Sequence, residues 1–265
     1  FACLLDEICH TKDSLTIETG ISYFLGALTH YAFDLTLHPY VYARVGYDPD
    51  DPKGNKNTLG AHLRLEAAMD ARILMMKREM LPSSYYPEKL MQISEAEEAC
   101  LMRLLSVAGS RACRIHLKEE NIRGSIWCMK KLVPKLYDHT GKKRKRMEKW
   151  EKKWFRDGYL SNFIVSDDLV LKGNIMNSLN RRWRHPWNSK WESTDSVWEL
   201  YDKAAERYEE FYGAWLPVRK RLLEKILASG QPHYYPDQYE RGVGQQIREV
   251  VGKIGNCSYH SGISK

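Results

Sequence analysis

His30, Asp34 and His38 follow one another at intervals of four residues, and His62 and Glu66 repeat that interval further along. On an α-helix, residues four apart lie along one stripe. Each set therefore presents metal-ligand side chains on a single helix face. A fold that uses both must set two helices side by side. Asp70 extends the second stripe by one more turn and reads as a supporting or surface carboxylate.

The rest of the chain agrees with helices. Ile21, Phe24, Leu25 and Leu28, then Ala32, Phe33 and Leu35, give residues 17–38 an apolar stripe of helical period. Pro39 disfavours helical geometry at the residue before it, so this helix is predicted to end at His38. A loop rich in Gly, Pro, Asp and Asn covers 46–57, and a second helix follows over 59–80 with Leu63, Ala67, Leu74 and Met75 inward. Pro82 to Pro87 form a linker. Ser94-Glu95-Ala96-Glu97 begins a third helix running to about His116. Further helices are expected over 122–137, 142–156, 195–228 (capped by Thr194 or Asp195) and 237–253. The tryptophan-rich stretch 158–192 reads as loop, and no strand pair or internal repeat stands out. The expectation is one all-α domain over residues 1–265, a multi-helix bundle.

A helix rises about 6 Å over four residues, which puts His30 and His38 roughly 12 Å apart along the axis, too far to share one ion. Two ions are the natural solution. One takes His30 and Asp34. The other takes His38, His62 and Glu66, three protein ligands with room for a water, as in a catalytic zinc site. Imidazole and carboxylate suit zinc, although iron and manganese accept them too. Two neighbouring ions suit phosphoester hydrolysis, with Glu66 and Asp34 as the candidate catalytic carboxylates. His10 is a candidate extra ligand. His116, His139, His185, His233 and His260 have no partner at useful spacing and read as structural or surface histidines.

Tyr23 to Val41 (YFLGALTHYAFDLTLHPYV), with the HLRLE that follows, resembles the zinc-dependent phospholipase C family in its intracellular bacterial and archaeal branch. Trp183–Pro186 (WRHP), the later SVWELYDKA and the closing GNCSYHSG are similar to it as well. The resemblance implies an all-α bundle around a cluster of up to three metal ions. His30 would bind the first, Asp34 would bridge the first and third, and His38, His62 and Glu66 would hold the second. The family draws further ligands from a segment before the first helix, where this chain offers His10, with Asp6 or Glu7 for an acidic base. The implied reaction is hydrolysis of a phospholipid or related phosphodiester. A single-strand nuclease of the same bundle and a non-catalytic metal-binding scaffold are the competing readings.

The formal net charge of +7 suits an anionic partner, and equally suits solubility. Lys142 to Arg146 are the densest basic run, with Trp150 and Trp154 close behind. This stretch reads as a dock for anionic membrane, as a nucleic-acid or nuclear-localisation patch, or as a solvated helix face balanced by Glu148 and Glu151. No apolar run approaches the ~18 residues of a membrane-spanning helix. The six scattered cysteines, without a CxxC, read as reduced thiols of a cytoplasmic protein, and an extracellular protein with one or two disulfides is the alternative.

Overall fold

The computed structural model describes residues 1–51, 53–154, 160–171, 173–228 and 242–264. The chain is all-α, with eight α-helices among these residues: α1 (Ala2–His10), α2 (Ser14–Arg44), α3 (Thr58–Arg78), α4 (Glu95–Cys113), α5 (Glu119–Leu136), α6 (Lys143–Trp154), α7 (Val197–Ala228) and α8 (Val243–Ile254). A two-residue antiparallel ribbon, β1 (Trp183–Arg184) with β2 (Glu192–Ser193), pairs Trp183 with Ser193 at the end of the stretch read as loop. No helix among the described residues is long and apolar enough to cross a membrane.

α2 lies at the centre, packed on α1, α3, α4 and α7. Its stripe of Ile17, Phe24, Leu28, Tyr31, Ala32 and Leu35 is buried against Leu5 and Ile8 of α1, Trp215 and Leu222 of α7, and Val250 of α8. α1 goes beyond the sequence reading, which starts its first helix at residue 17. α2 itself starts at Ser14, where Asp13 caps it by accepting the Thr16 N–H at 2.9 Å.

α2 does not end at His38. It runs through Pro39 to Arg44. Proline removes one N–H and so releases the carbonyl four residues back, which belongs to Leu35. Burial outweighs that loss. Tyr40 and Val41 are buried beyond the proline with Met69, Trp183 and Val197, and the Tyr40 hydroxyl donates to the Ile175 carbonyl at 2.7 Å. Gly262 of the C-terminal tail sits directly on the Leu35 carbonyl, so closely that a Cβ there would overlap the oxygen.

α3 buries Ala67, Ala68, Met69 and Ala71, whereas Met75, expected inward, is exposed. Small residues let α3 approach the buried Leu169 and Val170 closely. The expected Ser94–Glu97 capping box begins α4. A second such box begins α7, where Ser196 and Glu199 satisfy each other's N–H groups at 2.7 and 3.3 Å; Ser196 is the cap rather than Thr194 or Asp195. Of the remaining expected helices, residues 155–156 and 237–241 lie outside the described residues, as does His233.

Candidate metal centre

α2 and α3 bring His38, His62 and Glu66 together. One ligand atom from each lies within 4.8 Å of the others, the only such group of three among the described residues. His62 Nε2 is 2.9 Å and His38 Nε2 is 3.2 Å from the same oxygen, Glu66 Oε1. Two imidazole nitrogens thus converge on one carboxylate oxygen, and only shared protons make that arrangement favourable in a metal-free protein. A divalent cation replaces those protons with a stronger positive charge. The buried His62 Nδ1 has no hydrogen-bond partner. Two imidazoles and a carboxylate form the donor set of an open zinc site.

Asp34, one turn before His38, reaches both flanking histidines. Its Oδ2 is 3.1 Å from His30 Nε2 and its Oδ1 is 3.9 Å from His38 Nε2. His30 itself is largely exposed, at 71 % of its side-chain surface. The His30–Asp34 pair therefore adjoins the three-residue group without a third protein donor at comparable range among the described residues.

Charge divides the two carboxylates. Burial works against ionisation of Glu66, but hydrogen bonds from His38 and His62 hold its carboxyl down to about 2. Burial also pushes Asp34 up, and the charges of His38 and His30 offset this only in part, so its carboxyl lies above the ordinary range. For His38, burial disfavours the imidazolium, yet the Glu66 hydrogen bond and the Asp34 charge prevail and raise it. Glu66 is thus held as the anion, whereas burial makes Asp34 the harder of the two to ionise in the metal-free protein.

The C-terminal tail completes the surroundings. The Tyr259 carbonyl accepts a hydrogen bond from His38 Nδ1 at 2.5 Å, which turns Nε2 toward Glu66. His260 stacks on the His38 ring at 6.0 Å and 15°, and its Nδ1 lies 2.8 Å from the Tyr42 hydroxyl. The Tyr42 ring lies 4.6 Å from His62 and 5.0 Å from Trp187. Three anchors hold the tail. Tyr31 donates to the Cys257 carbonyl at 3.0 Å and accepts the Cys257 N–H at 2.9 Å. Gly262 seats on Leu35. His185 donates from Nε2 to the Ser261 carbonyl at 2.9 Å and accepts the Trp187 N–H at Nδ1.

Sequence reasoning thus missed Tyr42, Tyr259 and His260, and it missed His185 as the residue that holds the tail. The signal available was the GNCSYHSG stretch, whose Tyr-His pair sits among small turn residues. His10 does not join the cluster; its Nδ1 bonds to the Asp6 carbonyl at 2.7 Å. Asp6 and Glu7 pair with Arg111 of α4 instead of serving the centre. Asp70 opens onto a separate cavity of about 590 Å³ with Lys77, Tyr85, Tyr137 and Tyr201. Its surface is open to solvent, yet the concave walls displace bulk water, and with the Glu66 charge they push its carboxyl up to about 6. His139 stacks on Tyr86 at 4.6 Å, and His116 is exposed. Among known proteins, no family model, no curated protein and no solved structure matches this chain.

Proposed function

We propose that the protein is a zinc-dependent phosphoric diester hydrolase of the phospholipase C type. His38, His62 and Glu66 hold one ion, and His30 and Asp34 contribute to a second, with a third implied by the family resemblance. The observation that carries this reading is the convergence of two imidazoles on one Glu66 oxygen, with the Asp34 carboxylate spanning from His38 to His30. Zinc at such a site supplies Lewis-acid activation of water and neutralises charge on phosphoryl oxygens.

The chain's own residues do the rest. Glu66 stays ionised at neutral pH and serves as a ligand anion. Asp34, between His30 and His38, would serve as a ligand carboxylate that a bound cation keeps ionised. Tyr259 fixes the His38 ring through Nδ1, as outer partners of ligating histidines do. On a phospholipid the products are diacylglycerol and a phosphorylated head group. The same residues would cleave a single-stranded nucleic acid, which is the second substrate class, and a scaffold with an incomplete site is the non-catalytic alternative. The six cysteines, none of them in a disulfide, suit a cytoplasmic setting.

Elemental analysis of the purified, unchelated protein tests the reading. Two or more zinc equivalents per chain are expected, and His62→Ala or Glu66→Ala should lower bound zinc and abolish phosphodiester hydrolysis. Full hydrolysis with normal zinc in either variant overturns the assignment. Zero or one equivalent in the parent favours the scaffold. Phospholipid and oligonucleotide substrates, assayed side by side, then assign the substrate class.

A further inference from the structure

The strongest charge feature of the chain lies outside the metal centre. Residues 114–154 contain fourteen Lys or Arg and five Asp or Glu, an excess larger than the +7 of the whole chain. The remainder is therefore slightly acidic, and the basic character is local.

The geometry of α6 sharpens this asymmetry, because the three acidic residues between 138 and 154 are all engaged. Asp138 is buried and accepts the Arg144 N–H at 3.0 Å and the Thr140 hydroxyl at 3.0 Å. Glu148 pairs with the buried Arg144 guanidinium at 3.1 Å. Glu151 is fully buried and accepts the N–H groups of Leu160 and Ser161. Glu151 therefore does not reach the outer face, and Glu148 is matched by Arg144. Lys142, Lys145, Arg146, Lys149, Lys152 and Lys153 are exposed there, with Trp150 and Trp154 one helical turn apart among them.

α5 exposes apolar groups as well. Trp127, Met129 and Leu132 are 59, 57 and 55 % exposed, beside the exposed Lys131 and Lys135. The end of α5 is tied to the start of α6, since Lys143 Nζ donates to the carbonyls of Lys135 and Tyr137, each at 2.8 Å.

We infer that the outer faces of α5 and α6 form a docking surface for an anionic lipid bilayer. Lysines within a Debye length of an anionic leaflet are attracted to it, and tryptophans settle at head-group level. Met129 and Leu132 separate this occupant from nucleic acid. Buried in a bilayer interface they leave water, whereas a sugar-phosphate backbone offers them no such gain. The inference does not depend on the metal centre, because vesicle binding is measured equally well on chelated protein.

The experiment is co-sedimentation of the full chain with vesicles of phosphatidylcholine alone and of phosphatidylcholine with about one third phosphatidylserine. Binding is expected only to the second, and it should weaken as salt rises. Lys145→Gln, Lys149→Gln and Lys152→Gln together should lower partitioning about 10²-fold, since each lysine contributes about a factor of five near such a surface. Trp154→Ala should lower it about tenfold. All four side chains are exposed, so folding is expected to survive, which circular dichroism checks. Vesicle binding that ignores phosphatidylserine, or that the triple variant leaves unchanged, overturns the inference. Retention of a single-stranded oligonucleotide with no retention on the anionic vesicles overturns it in favour of nucleic acid.

Discussion

Gly262→Ala is the sharpest perturbation of the centre that touches none of its candidate ligands. Gly262 has φ +64°, the left-handed region, and its Cα faces the Leu35 carbonyl that Pro39 leaves without a helical N–H. An alanine pays about 1–2 kcal/mol for that backbone conformation, and its methyl also overlaps the carbonyl oxygen. Leu35 cannot yield, because it is 3 % exposed in the middle of the core. The tail must move instead, so the destabilisation is limited to what its anchors at Tyr31 and His185 contribute. With about 2–4 °C of melting temperature per kcal/mol for a chain near this size, the backbone strain alone lowers it by roughly 2–8 °C. The larger effect falls on the metal. Displacing the tail removes the Tyr259 carbonyl from His38 Nδ1 and His260 from the neighbouring ring. Loss of such an outer partner lowers metal affinity about 10–100-fold. Zinc affinity measured by chelator competition, beside a thermal melt, reads both consequences. An unchanged zinc affinity in a variant whose melting temperature has fallen would refute the claim that the tail positions His38.

Zinc binding should weaken as pH falls through the raised titration point of His38, because a proton at Nε2 competes with the ion. In the metal-free protein the sign is opposite: the imidazolium contributes stability that is fully present below about 6.5 and is lost as pH rises through the raised value. Melting curves with and without zinc across that range should therefore diverge as pH rises, and parallel curves would argue against His38 as a ligand. His185→Ala should cost about 1–3 kcal/mol in chemical denaturation, since it leaves the Ser261 carbonyl and the Trp187 N–H without their partner. Burial holds His185 below its ordinary value, so its contribution is present above about 6.5 and is lost as pH falls through the lowered value. A His185→Ala variant that loses no stability at neutral pH would remove His185 as the tail's anchor.

How much of this was legible in the sequence depends on how far apart the interacting residues stand. His62 and Glu66 meet one turn apart on α3, as do His30 and Asp34 on α2, and four-residue spacing alone reveals such pairs. The meeting of His38 with Glu66 spans 28 residues and was inferred only because both stripes carry the same ligand chemistry. Tyr259 and His260 reach α2 from more than two hundred residues away, and no local pattern encodes a contact of that range. Pro39 shows why. Its chemistry argues for a helix end, and that argument is sound for an isolated segment, yet the buried Tyr40 and Val41 outweigh one missing hydrogen bond. The same proline frees the Leu35 carbonyl onto which Gly262 fits, so the residue that misleads a local reading also marks where the tail docks. The balance of α6 was hidden for the opposite reason. Glu148 and Glu151 neutralise the run on paper, but Glu151 is buried and Glu148 is taken up by the buried Arg144, which leaves the lysines outside. Charge counted along a chain is thus a different quantity from charge presented by a face, and only the face meets a partner.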